Sequence, residues 1–141
     1  MANKNLDDVV IAKLSNINEC LRKIEKVTKM SPDSLDDPIV EDVFVLNCQR
    51  AVQGCIDLAH YIISKSNLPV PSQYRESFAI ISREGIISRE LCEKMQKMVG
   101  FRNIAVHEYD KLNKAVLKAI LMGHLSEIED FCTAIKKGGN L

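Results

Sequence analysis

"DDPIVEDVFVLNCQRAVQGCIDLAHYIISKS", residues 36 to 66, is the stretch that decides the fold. Asp37 is placed to cap a helix, and Pro38 falls at its first position, where a missing N–H costs nothing. Beyond it, Val43, Phe44, Leu46, Val52, Cys55, Ile56, Ala59, Ile62 and Ile63 wrap more than one helical face. A helix apolar on two sides must pack against neighbours on both, within a bundle or across a subunit contact. The expectation is a central helix in an all-α fold.

Upstream, Leu6, Val10, Leu14, Ile17, Leu21 and Ile24 recur at steps of three and four, a single helical stripe over residues 6 to about 30. This helix is expected to stop at "MSPDS", residues 30 to 34, because Pro32 disfavours helix at Ser31. Downstream, "SNLPVPSQ" (66 to 73) carries two prolines and reads as a loop. "YRESFAIISR" (74 to 83) reads as a short helix, Gly85 interrupts the chain, and Ser88 caps a helix that ends before Gly100. Residues 112 to 137 place Leu112, Val116, Ala119, Ile120, Leu125, Ile128 and Ile135 on one face of a last helix, ended by Gly138 and Gly139. No stretch alternates as a strand would. The expected architecture is one domain over residues 1–141, an up-and-down bundle of four main helices plus a short one.

Composition narrows the function classes. The chain has 141 residues, 46% apolar and 27% charged, enough for one buried core. Its net charge is zero, so no global field draws it to nucleic acid or to an anionic membrane. Asp33, Asp36, Asp37, Glu41 and Asp42 gather at one helix entrance, and Arg22, Lys23, Lys26 and Lys29 at the preceding helix's end, as helix dipoles favour. Cys20, Cys48, Cys55, Cys92 and Cys132 are odd in number and lack CxxC or zinc-finger spacing. Free thiols of a reducing cytoplasm are the expectation. "MANKNLDDVV" has no apolar signal core, and no run approaches the length of a membrane span.

The chemistry concentrates in "FRNIAVHEY", residues 101 to 109. On a helix starting near Arg102, Asn103 and His107 are four apart and share a face, with Ile104 and Ala105 turned inward. Arg102 lies ~140° from His107 around the axis, at ~100° per residue. Arginine presents a fixed fork of donors matched to phosphate oxygens, and histidine can accept and return a proton near neutrality. With Asn103 orienting the ring or donating to phosphate, the set suffices for RNA cleavage by attack of a ribose 2′-hydroxyl on its own phosphate. No acidic cluster suits a two-metal nuclease, so neither a metal nor another cofactor is expected. Spacing alone does not decide between this site and a solvated helix entrance.

"RNIAVHEY" fits the R-x4-H-x-Y motif, with Asn directly after the Arg, of the HepT-like branch of the HEPN superfamily. "QRAVQGCIDLAHYIIS" (49 to 64), "LPVPSQYRESFAIISREGIIS" (68 to 88) and "MVGFRNIAVHEYDKL" (98 to 112) follow in the order and spacing of such chains, so the resemblance covers roughly residues 6 to 135. It implies an all-α homodimer whose motifs face each other across a cleft, acting as a metal-independent endoribonuclease toxin. It also implies a partner, an MntA-like minimal nucleotidyltransferase antitoxin, able to transfer AMP from ATP to the motif tyrosine. Carried onto this chain, Arg102 and His107 are the catalytic pair, Asn103 supports them, and Tyr109 is the adenylylation site. An adenylyl group there adds bulk and negative charge beside the cleft, which opposes RNA phosphates.

A neutral ribonuclease needs local attraction, and Arg83, Arg89, Lys94 and Lys97 are expected to line the cleft as RNA contacts or else to solvate a helix face. Arg50, Asp57 and His60 are expected either to frame the cleft, with Asp57 and His60 paired, or to form a structural network. His124 receives no role. The competing function is a non-catalytic helical module that binds nucleotide or docks on a nucleotidyltransferase, with Arg102 and His107 as phosphate ligands.

Overall fold

Asp37 caps the central helix: its Oδ1 accepts the N–H of Ile39 at 2.9 Å, and Pro38 is the first helical residue. That helix, α2 (Pro38–Lys65), is one of six in the computed structural model, which describes residues 7 to 138. The others are α1 (Asp8–Thr28), α3 (Tyr74–Arg83), α4 (Arg89–His107), α5 (Lys114–Gly123) and α6 (Leu125–Lys137). Single 3-10 turns span Pro32–Asp36 and Tyr109–Lys111, and no strand occurs among the described residues. Leu6 and Gly139, both used in the sequence reading, lie outside them.

The two-sided apolarity of α2 is satisfied by contacts with α1, α3, α4 and α6. Phe44, Ala51, Val52, Cys55, Ile56, Ala59 and Ile62 are completely buried, and all six helices contribute to the same core. Burying a side chain such as Phe44 stabilises the fold by about 1.5–3 kcal/mol. Phe78 of α3 meets Phe131 of α6 edge-on, with ring centroids 5.6 Å apart. Gly54 permits the close crossing of α1 over α2, since a Cβ there would stand 2.7 Å from Ile17 Cγ1. The start of α1 is tied to the end of α2: Asp7 caps Val9, accepts the Tyr61 hydroxyl and lies 3.7 Å from Lys65.

Three boundaries differ from the sequence reading. The first helix ends at Thr28, ahead of Pro32, because Thr28 Oγ1 turns back to the Ile24 carbonyl at 2.7 Å and Lys29 and Met30 take left-handed φ values of 53° and 60°. Pro32 instead opens a 3-10 turn. Gly100 does not break a helix: α4 runs through it, and the missing Cβ makes room for Arg75, whose Nη2 would sit 2.9 Å from that atom. The last helix is two, since the chain breaks between Gly123 and Leu125, which raises the count from four main helices plus a short one to six. His124 closes α5 through its N–H to the Ile120 carbonyl and contacts Glu127 Oε2 through Nδ1 at 2.8 Å.

Candidate active site

Continuity through Gly100 places the 101–109 motif at the end of a long helix rather than at the start of one. Phe101 and Ala105 anchor it in the core. Ile104 does not join them and is exposed. Arg102 and Asn103 are half-buried, whereas His107, the last residue of α4, is exposed. Arg102 lies five residues before His107, ~7.5 Å along the axis.

Arg102 is held from three directions. Its Nε donates to Gln53 Oε1 of α2 at 3.0 Å, its Nη1 donates to Asn103 Oδ1 at 3.0 Å, and its guanidinium lies 5.1 Å from the centroid of the Tyr74 ring of α3. Gln53 is fixed in turn by donating from Nε2 to Asp57 Oδ1 at 2.9 Å. The Tyr74 ring leans on His60, with centroids 5.8 Å apart. Two N–H groups of the guanidinium are committed to the protein, and the others stay available for a phosphate. Asn103 thus orients the arginine first. Among the described residues no hydrogen bond holds the His107 ring, which shares a face with Asn103 one turn earlier.

Tyr109 follows in the 3-10 turn. Its hydroxyl donates to Asp42 Oδ1 at 2.5 Å, and its side remains 45% exposed. Partial burial, the Asp42 hydrogen bond and the negative charges of Asp42 and Glu41 push the phenol up to about 12.

The other sequence candidates are scattered. Asp57 pairs with Gln53 rather than with His60, and Arg50 is exposed on the side of α2 that faces Cys20. Arg83 is exposed at the end of α3, and Arg89, 3.8 Å from Glu93, sits at the far end of α4. Lys94, 3.7 Å from Glu90, and Lys97 line a mostly apolar groove of about 550 Å³ between α4 and α5, with Phe101, Ile104 and Val116. In one chain none of the four cations stands beside Arg102. Gln53 and Tyr74 were missed by sequence reasoning. A signal for Gln53 existed: Asp42, Leu46, Gln49 and Gln53 recur three or four apart and mark the side of α2 turned to the motif. Nothing local singles out Tyr74, whose contact with Arg102 is made by tertiary packing alone.

Four of the five cysteines are buried and all are free, and burial pushes the Cys48 thiol up to about 12. No group of three or more His, Cys, Asp or Glu side chains among the described residues is arranged to hold a metal ion. No helix among them is long and apolar enough to cross a membrane.

An all-helical chain with an arginine, an asparagine and a histidine at the end of a long helix is the class that fold and site define. The ribonuclease HepT-like family model matches residues 17–135, and the chain belongs to that family. It is 34% identical over 131 residues to the mRNA nuclease HepT of Shewanella oneidensis, covering 93% of this chain and 98% of the relative. A putative RNase of Archaeoglobus fulgidus is 25% identical over 126 residues, covering 82% of this chain and 95% of that one. Among solved structures, the tri-AMPylated Shewanella oneidensis HEPN toxin in complex with an MNT antitoxin superposes with a TM-score of 0.88 at 33% identity, covering 94% of this chain and 99% of the other.

Proposed function

We propose that this chain is the toxin of a toxin–antitoxin pair, an endoribonuclease that needs no metal and works as a homodimer. Its antitoxin is an MntA-like nucleotidyltransferase that neutralises it by adenylylating Tyr109. The observation that carries the reading is the Arg102 guanidinium, fixed by Gln53, Asn103 and Tyr74 with donors left over, on the same helix end as His107. A docking module does not require an arginine so constrained beside a titrating group. The likeness to an mRNA nuclease and to a toxin bound to its antitoxin, each over nearly the whole chain, supports the same reading.

In the proposed reaction His107 takes the proton of a ribose 2′-hydroxyl as that oxygen attacks the adjacent phosphorus. Arg102 binds the non-bridging oxygens, where negative charge grows in the transition state. Because α2 and α3 already hold the guanidinium, little reorganisation is left for the moment of reaction. Pairing two chains across the motif brings a second Arg102 and His107 to the cleft, so one histidine can accept a proton while the other protonates the leaving 5′-oxygen. The four upstream cations lie outside this centre in one chain and act through longer-range attraction for phosphate.

Expression of the chain alone is expected to arrest growth, and His107→Ala to abolish the arrest while leaving helical content unchanged. Full toxicity of His107→Ala would end the nuclease reading and favour the docking module. Incubation with the antitoxin and ATP is expected to add whole adenylyl units to the wild-type chain and none to Tyr109→Phe.

A further inference from the structure

The proposed acceptor phenol already touches a base. The Tyr109 hydroxyl donates to Asp42 Oδ1 at 2.5 Å, across a separation of 67 positions in the chain. The neighbouring acids are occupied. Asp33 and Asp36 lie 3.9 and 3.2 Å from Lys118, and Glu41 lies 3.7 Å from Lys114. No cation pairs with Asp42 among the described residues, so its carboxylate is left to the phenol. A shallow cleft lined by Asp42, Val45, Leu46, Gln49 and Tyr109 opens at this contact.

We propose that Asp42 is the proton acceptor in adenylyl transfer to Tyr109, a step that rests on the assignment of Tyr109 under Proposed function. The Tyr109 oxygen attacks the α-phosphorus of ATP and a new O–P bond forms. The bond from that phosphorus to the oxygen bridging the β-phosphate breaks, and pyrophosphate leaves with the electron pair. The phenol proton passes to Asp42 Oδ1 and from there to solvent. With the phenol pushed up to about 12, phenolate is scarce at neutral pH, so the proton has to leave during the attack.

The same contact turns repulsive once the step is complete. The modified oxygen has no proton to donate, and the new phosphodiester anion faces the ionised Asp42 carboxylate.

The charged and titratable groups around this contact are Glu41 of α2 with Lys114 of α5, 3.7 Å apart, and Glu108, just before the turn, with Lys111 inside it, 2.7 Å apart. His107 and Asp110 flank them in sequence. None of these touches the phenol oxygen as Asp42 does.

The test uses the full chain, its antitoxin and ATP, with intact mass followed over time, the modified residue mapped by peptide mass, and each variant's rate divided by the wild-type rate. Asp42→Asn keeps an oxygen that accepts the phenol hydrogen bond and loses the base. It is expected to be modified at least about tenfold more slowly at neutral pH and to gain about tenfold on the wild type per pH unit, since only phenolate then reacts. Asp42→Glu is expected to recover most of the rate. A wild-type rate for Asp42→Asn, or a deficit constant across pH, would overturn the role as proton acceptor and leave the Tyr109 assignment standing. Modification of the wild-type chain on another residue would overturn that assignment and this step with it.

Discussion

The two sides of α4 put similar residue types to opposite uses. On the side facing α2 and α3, Arg102 is locked by Gln53, Asn103 and Tyr74, and Gln53 and Tyr74 are in turn held by Asp57 and His60. On the side facing α5, Lys94 and Lys97 rim an apolar groove, and Lys94 reaches only Glu90 in its own helix. Exposed pairs of that kind are worth about 0–1 kcal/mol. One side presents a fixed donor array and the other a fringe of charge with no ion pair to another helix among the described residues. Tertiary contacts, not distance in sequence from the motif, decide which of these cations is fixed.

The contrast is broken most severely at the fixed side. Arg102→Ala and His107→Ala are each expected to lower the RNA cleavage rate by roughly 10²–10⁴-fold in single-turnover assays. Melting temperature should stay nearly unchanged for His107→Ala and fall for Arg102→Ala, which also loses its hydrogen bonds with Gln53 and Asn103. Next comes the support. Gln53→Ala removes the acceptor of Arg102 Nε, a hydrogen bond to a charged group worth about 1.5–3 kcal/mol, so cleavage should fall by roughly 10–100-fold while RNA affinity changes little.

Tyr74→Leu keeps bulk but loses the ring beneath the guanidinium, worth about 0.5–1 kcal/mol at an exposed site, and should cost a few-fold in cleavage. Tyr74→Phe, which keeps the ring, should cost almost nothing. The groove side gives the smallest effect. Lys94→Glu with Lys97→Glu is expected to weaken RNA binding a few-fold in low salt, flatten its salt dependence and spare the maximal rate. A loss of maximal rate in that double variant would erase the distinction between the two sides.

The sequence carried the elements further than it carried their joints. Asp37 and Pro38, Ser88, and the apolar surplus of α2 announce helices whose caps and burial the structure bears out, because capping and amphipathicity are local. Glycine was the weaker guide. Gly85 does interrupt the chain, at φ 78°, whereas Gly100 lies inside α4 to admit Arg75 and Gly123 marks a break that periodicity alone ran through. In sequence, a glycine needed for close approach looks like one that ends a helix. The motif residues were legible from Arg102 to Tyr109, and their supports were not. Gln53 and Asp42 come from another helix, whose three-and-four spacing marks their shared side without saying what it meets. Tyr74 comes from a third helix through packing that nothing local announces.

The end groups left on RNA test the account most directly. Purified wild-type chain in excess chelator, free of its antitoxin, is predicted to cleave RNA and leave 2′,3′-cyclic phosphate on the upstream fragment, and His107→Ala to leave the RNA intact. Cleavage that stops when divalent metal is removed, or that yields 3′-hydroxyl ends, would contradict an arginine–histidine centre on α4.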